Sequence, residues 1–439
     1  MFYGWRIVGV TFVTHFISVG FLFYSYGAFF KALADEFGGG RLGVATGLAI
    51  INCVNASLAP LLGRIFDRGY IRAAMCTGAL CMALGFLLVS QIEALWQLYV
   101  LLALLVGSGS AMLGGLAGST LVASWFTARR GTALGVATMG ISLSGVVMAP
   151  AATWLIARLG WRATFQLYAV LAVAIVLPLV WWVVVNRPED IGLLPDGARA
   201  DTDVETNLER PAAPPVVPLA PGDQITDHAP GLAWSAIGVL RESRFWAIAG
   251  TVAFNLTASG AILTHIIPHA TDIGVPSMYA AGVLSSLAIM GVAGKLLFGW
   301  LVDRVSKRGA LWLATAFQAS GVTLLLSADS LGPLLVAATV FGLGMGGVVP
   351  LWGTLVGAAF GRAQFGRVMG MMSPAMLPIQ LIGIPLTGYI FDTRGSYELA
   401  FHLHLVSYAI AALALGMLVL PDHEPGTEPN TDPRLTASG

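Results

Sequence analysis

Gly63-Arg-Ile-Phe-Asp67-Arg68 and Gly299-Trp-Leu-Val-Asp303-Arg304 are two copies of one pattern, each placed where a long apolar run gives way to a basic loop. Working outward from them, three further pairs fall at the same spacing. Trp5-Arg-Ile-Val-Gly9 is matched by Trp246-Ala-Ile-Ala-Gly250, and Gly131-Thr-Ala-Leu-Gly135 by Gly366-Arg-Val-Met-Gly370. Gly160-Trp-Arg-Ala-Thr-Phe165 is matched by Gly395-Ser-Tyr-Glu-Leu-Ala-Phe401. All four pairs are separated by 235 to 241 positions and occur in the same order, so the chain carries an internal duplication.

Each copy holds six apolar runs of membrane-crossing length, since a helix needs about 20 apolar residues to cross a hydrocarbon core of about 30 Å. In the first copy they run roughly over 7–30, 42–63, 73–90, 97–126, 132–157 and 163–185. In the second they run roughly over 245–270, 278–302, 310–327, 333–360, 368–391 and 399–420. The runs are too long for strands and do not alternate, and backbone groups in lipid must be satisfied within the segment, which leaves helices. The fold expected is an all-α membrane protein of twelve transmembrane helices in two pseudo-symmetric six-helix halves. The chain then divides into four regions: a first half over 1–186, a Pro-rich polar linker over 187–243, a second half over 244–421 and a polar tail over 422–439. The linker and tail have the composition of disordered segments. The first apolar run exceeds the roughly 7–15 residues of a signal-peptide core, so it is expected to be a retained span.

Composition agrees. Hydrophobic residues make up 56% of the 439 residues and charged residues 10%, against roughly 25% charged in soluble domains. A soluble enzyme, a nucleic-acid binder and a disordered scaffold are excluded on that ground. Net charge is zero, so no polyanionic partner is implied. Cys53, Cys76 and Cys81 sit in apolar runs without metal-ligand spacing and read as packing residues. There is no phosphate-binding Gly-Lys-Ser/Thr loop, because Leu296 follows Lys295, and no hydrolase motif. The chain is read as neither an ATP-driven pump nor an enzyme, with no cofactor and no metal.

Charge placement sets the orientation. With the N-terminus in the cytoplasm, 17 Lys and Arg fall on the cytoplasmic side and five on the outside: Lys31, Arg41, Arg158, Arg162 and Arg394. That bias puts both termini and the linker in the cytoplasm of a cell whose inner or plasma membrane holds the protein. All 23 acidic residues fall in loops, at helix ends, in the linker or in the tail. The remaining basic residue, Lys295, lies inside the eighth span. A lone ammonium there costs at least about 2.5–3.5 kcal/mol, and such residues usually serve function. With no membrane carboxylate to pair it, an anionic substrate is the economical partner; a lysine snorkelling toward the interface is the alternative.

The duplicated motif resembles the signature G-x-L-x-D-R-x-G-R-K of the major facilitator superfamily. Gly63, Asp67, Arg68 and Arg72 match in the first copy, and Gly299, Leu301, Asp303, Arg304, Lys307 and Arg308 in the second. Within it the chain is similar to the monocarboxylate porters and oxalate/formate exchangers. Phe29-Phe-Lys31, Trp125-Phe126 with Arg129-Arg-Gly131, Gly294-Lys295-Leu-Leu-Phe-Gly299, and Gly388-Tyr-Ile-Phe-Asp392 through Gly395-Ser-Tyr397 carry the likeness. The resemblance implies that Lys295 binds carboxylate. It also marks two departures: Gly291 stands where animal carriers place an Asp, and Tyr24 where they place a first-span Lys.

Spans one, four, seven and ten line the cavity in that family, which ranks the other candidates. These are His15 and Tyr24 in span one, Asn255 in span seven, Trp352 in span ten and Gln380 in span eleven. On a regular helix His15, Ser18, Leu22 and Tyr26 share a face opposite Tyr24, so His15 and Tyr24 cannot both face the cavity unless the helix bends. His265 and His269, one turn apart, are candidates for an outer gate. Gly63, Asp67, Arg68, Arg72, Gly299, Asp303, Arg304 and Arg308 are expected to shut the cytoplasmic side by charge pairing at helix ends. The function expected is secondary active transport of a small mono- or dicarboxylate by a monomer in the bilayer, with protons as a possible second partner. Alternatives are an oxalate/formate-type exchanger, a drug or neutral-solute porter of the same fold, and a transporter-shaped receptor.

Overall fold

A computed structural model describes residues 2–37, 40–197 and 235–418. Among these residues, twelve helices are long and apolar enough to cross a membrane. Numbered in chain order, the first four spans are Gly4–Tyr24, Thr46–Asp67, Ile71–Val89 and Leu95–Trp125. The fifth and sixth, residues 130–159 and 161–183, are parts of one helical run that reverses at Gly160 (φ 80°, ψ 163°). The last six are Ser243–Asp272, Met278–Val302, Lys307–Leu326, Leu331–Phe360, Phe365–Arg394 and Glu398–Gly416. Gly395, the duplicate of Gly160, ends span 11 at φ 67°. Both positions need a backbone that side chains with a Cβ resist, which explains why the repeat preserves glycine there.

Each half has its own core. In the first, span 1 and the helix Tyr26–Phe37 that follows it are fixed to span 6 by stacked rings, Phe21 on Tyr168 and Phe29 on Phe165, both at 4.0 Å between centroids. In the second, spans 8 and 10 and spans 9 and 10 pack along their lengths. The halves meet along two seams, span 2 against span 11 and span 5 against span 8. At both seams glycine lets backbones touch. A Cβ on Gly63 would lie 2.1 Å from the carbonyl oxygen of Gly366, and one on Gly135 would lie 2.4 Å from that of Lys295. The repeats found in the sequence therefore meet crosswise: the Gly131-Gly135 copy faces the Gly299 motif, and the Gly366-Gly370 copy faces the Gly63 motif. Small residues at crossings are how helices associate in lipid, where no hydrophobic drive exists between them.

The linker has structure at its start. Short 3-10 turns cover Pro188–Ile191 and Pro195–Gly197. Asp196 accepts the amides of Thr127 and Ala128 at 2.9 and 2.8 Å, and Glu189 pairs with Arg362 at 2.5 Å. The expected disorder therefore does not extend over 187–197, nor over 235–243, where Ala236–Arg241 form a short helix ahead of span 7; linker residues 198–234 and the tail over 422–439 lie outside the described residues.

Candidate functional site

The seams are locked at the motif end by helix capping across the halves. The first amides of a helix lack intrahelical acceptors and carry partial positive charge. Asp67, closing span 2, accepts the amides of Gly366 and Arg367 at the start of span 11, at 2.8 and 2.7 Å. Asp303, closing span 8, accepts the amides of Gly131 and Thr132 at the start of span 5, both at 2.8 Å, and the Thr132 hydroxyl at 2.7 Å. Two carboxylate oxygens thus meet two adjacent N–H groups in each half.

This corrects the expected charge pairing. None of the four motif arginines holds a motif carboxylate in the described structure. Arg304 and Arg308 lie over the rings of Trp300 and Trp312, and Arg72 over that of Trp181. Arg308 also donates to the Gly416 carbonyl at 3.1 Å, and Arg68 is exposed. A partly buried helix terminus offers a carboxylate two aligned donors, whereas an exposed arginine there competes with water. Arg130, in the Arg129-Arg-Gly131 stretch to which the sequence assigns no gating role, is 3% exposed and its guanidinium packs on Gly357 of span 10, joining the halves a third time.

Between the halves lies a cavity of about 260 Å³, walled by spans 1, 2 and 4 on one side and 7, 10 and 11 on the other. Trp352 and Gln380 stand on its wall, as do Ser18, Asn52, Asn55 and Ser110. Trp352 directs its indole N–H to the sulfur of Met372 at 3.2 Å. The asparagines of span 2 are site residues that sequence reasoning missed; an amide side chain within an apolar run was the available signal. Ser110 donates to Asn55 Oδ1 at 3.1 Å.

Lys295 does not line that cavity. It is 5% exposed, and its Nζ donates to Ser142 Oγ at 2.6 Å. Because Lys295 is on span 8 and Ser142 on span 5, this bond joins the two halves. Among the described residues no carboxylate pairs with it, and its amine does not reach the interface. Tyr24 packs its ring on Gly145, where a Cβ would come within 2.7 Å of it. Ser142 and Gly145 are three residues apart on one helix and so share a face; Tyr24 and Lys295 thus touch one stripe of span 5 about a turn apart.

His15 faces span 5 as well. It is fully buried, its Nδ1 lies 3.2 Å from the Ala137 carbonyl, and its Nε2 has no hydrogen-bond partner. His15 and Tyr24 reach one neighbour because span 1 is not regular. Gly20–Tyr24 form a π turn, which inserts an extra residue and rotates the remainder of the helix by about 100°. Asn255 faces inward within the second half: its Oδ1 accepts from Gln318 at 2.9 Å and Thr315 at 3.2 Å, and Ser259 donates to Gln318 at 2.7 Å. That network ties span 7 to span 9 and is away from the cavity. His265 and His269 sit together by Tyr397, with His265 Nδ1 3.4 Å from the Tyr397 hydroxyl. Among the described residues no group of His, Cys, Asp or Glu has the arrangement to hold a metal.

The geometry has counterparts. The family model of the Major Facilitator Superfamily matches residues 11–326 and 293–437. Bovine (Bos taurus) monocarboxylate transporter 13 is 28% identical over 425 residues, covering 96% of this chain and 90% of that protein. Human (Homo sapiens) monocarboxylate transporter 11 is 28% identical over 427 residues, covering 91% and 80%. Among solved structures, the proton:xylose symporter XylE bound to 6-bromo-6-deoxy-D-glucose superposes with a TM-score of 0.74 at 11% identity, over 95% of this chain and 96% of that one. The E. coli fucose:proton symporter FucP superposes with a TM-score of 0.61 at 15% identity, over 95% and 100%. At such identities the two structures establish the fold alone.

Proposed function

Since the chain belongs to the major facilitator superfamily and is a multi-pass membrane transporter rather than an enzyme, we propose that it carries a small organic anion, a mono- or dicarboxylate, by alternating access. The observation that carries this reading is the Lys295–Ser142 bond. A buried ammonium without a carboxylate partner is costly, and such a group usually marks a substrate path. Its present acceptor is a neutral hydroxyl on the opposite half. A substrate carboxylate is a stronger acceptor than a hydroxyl. Exchanging Ser142 for substrate releases a bond between the halves and so links binding to their rocking. The curated relatives named as monocarboxylate transporters support the same class.

In this reading the Asp67 and Asp303 caps, with Arg130 on Gly357, form the cytoplasmic gate, drawn shut here. Trp352 and Gln380 shape the apolar and polar walls of the cavity, and the Lys/Arg bias places both termini in the cytoplasm of an inner or plasma membrane. The protein works as a monomer, because each seam and the cavity are built within one chain. The test is uptake of labelled pyruvate, acetate and oxalate into proteoliposomes, with and without a pH gradient, for wild type and Lys295→Ala. Normal uptake by Lys295→Ala removes the anchor role. Exchange is the second reading, favoured by the lack of any mid-span carboxylate to carry a proton. Uptake that ignores the pH gradient and needs an internal anion selects it over proton-linked symport.

A further inference from the structure

Span 4 is two helices. The first ends at Leu113, the chain turns through Gly114 in an extended conformation (φ −77°, ψ −156°), and a second helix runs Gly115–Trp125. The Gly114 amide donates to Ser110 O at 2.8 Å and the Gly118 amide to Gly114 O at 3.1 Å. Between these bonds lie the amides of Gly115, Leu116 and Ala117, which an α-helix leaves without intrahelical acceptors. Their positive end of the helix dipole is directed at the middle of the protein. Irregular backbone at membrane depth persists where it is packed in protein or lines a cavity. This break does the latter: Ser110, Gly114, Gly115 and Leu116 all stand on the cavity wall.

Two features distinguish the break from an ordinary kink. First, Gly115 is exposed on the cavity wall and a Cβ there would meet nothing within 4 Å, so no side chain stands in front of its backbone. Second, Ser18 of span 1 lies on the same wall, 2% exposed, with a hydroxyl that has no hydrogen-bond partner. Buried hydroxyls are nearly always satisfied, so one left without a partner on the same wall as the helix end points to an acceptor that is supplied from elsewhere. The cavity wall holds no charged side chain. Its electropositive feature is the helix end.

We infer that the break in span 4 is a carboxylate-binding site, in which the amides of Gly115 and Leu116 and the hydroxyl of Ser18 receive the substrate's anionic group from the cavity. The inference rests on the organic-anion reading and extends it: the cavity has its own anion acceptor, apart from Lys295, which is sequestered against Ser142 while the gate is shut. Helix N-termini bind carboxylates and phosphates by this combination of open amides and dipole.

Equilibrium binding of radiolabelled pyruvate, acetate and oxalate to the purified full-length protein tests the site. The variants are Ser18→Ala, which deletes the hydroxyl alone, and Gly115→Val, whose side chain enters open space and covers the amides. A monodisperse gel-filtration profile and an unchanged melting point establish folding for each. Loss of a hydrogen bond to a charged group weakens binding about tenfold or more, so each folded variant is expected to bind the probe that wild type binds at least about tenfold less tightly. Wild-type affinity in both variants, with loss only in Lys295→Gln, overturns the site and leaves the transport reading standing. If wild type binds none of the three probes, the organic-anion reading falls and takes the site with it.

Discussion

Asp67 accepts the backbone amide of Gly366 at 2.8 Å across 299 positions of sequence. Its duplicate Asp303 does the same for Gly131, at 2.8 Å across 172 positions. Each half thus supplies the N-terminal cap that a helix in the other half lacks. Capping by Asp is worth about 0.5–2 kcal/mol, and a carboxylate at a helix N-terminus adds about 0.3–1 kcal/mol through the dipole. Asp67→Ala and Asp303→Ala should each shift the balance away from the closed motif end by roughly tenfold, using about 1.4 kcal/mol per decade. Distances between spin labels on spans 2 and 11 report the shift. An unchanged distance distribution in both variants would show that the caps do not hold the gate.

Backbone contact at the seams sets a steric prediction. A side chain at Gly135 drives a Cβ to 2.4 Å from the Lys295 carbonyl, and one at Gly63 to 2.1 Å from that of Gly366. Neither contact relaxes without parting the halves, since the opposing atom is backbone. Gly135→Val and Gly63→Val should therefore reduce transport by more than about tenfold while each half stays folded, because overpacking costs about 1–3 kcal/mol when the structure yields. Gly282→Ala is the control, with nothing within 4 Å of its Cβ. Proteoliposome flux set beside melting temperature separates gating from folding.

The spans and the two halves were legible because each is a property of one-dimensional pattern. Apolar run length gives a crossing, and a motif repeated at one spacing gives a half. Lys295 was legible for a similar reason, as the formal charge left over once every other one had a loop or a helix end. The cavity was not, because it depends on which face each helix presents. A regular-helix count sets Tyr24 opposite His15, and the π turn at Gly20–Tyr24 brings both onto span 5. Asn255 is polar and correctly placed in span 7, yet Gln318 and Thr315 hold it inside the half. Gly114-Gly115 is one glycine pair among 53 glycines, and nothing in the letters tells a break from a close crossing.

At the end opposite the motifs, Glu36 ties the helix following span 1 to the start of span 6. Its carboxylate accepts Trp161 Nε1 and Arg162 Nη1, both at 2.6 Å. Burial opposes ionisation, but the bonds from Trp161 and the Arg162 guanidinium outweigh it and hold the carboxyl below its ordinary value. A depressed folded-state value contributes stability above the unfolded pKa of about 4.3 that is lost as pH falls through the folded value. The pair is exposed, so the effect should be under about 1 kcal/mol and shrink with salt. Glu36→Gln should remove this acid-dependent part of the melting curve. An identical pH profile in the variant would assign the acid sensitivity elsewhere.

Lys295 sets stability against function. A charged group at the centre of a span costs at least about 2.5–3.5 kcal/mol, and its hydrogen bond to Ser142 returns about 1.5–3 kcal/mol. Lys295→Met fills similar space without charge, so the substrate-free protein should be as stable as wild type or more so, by up to about 2 kcal/mol. Ser142 lies 6% exposed and loses its donor in that variant, so pairing it with Ser142→Ala should recover the remainder. Transport should fall by a hundredfold or more in either background, since about 2.7 kcal/mol of substrate interaction corresponds to two decades. A lysine reaching lipid headgroups would give the opposite pattern, with little change in flux and no gain in melting temperature. Stability and flux must move in opposite directions for the ammonium to be a substrate anchor, because a group kept only for packing would lose both together when replaced.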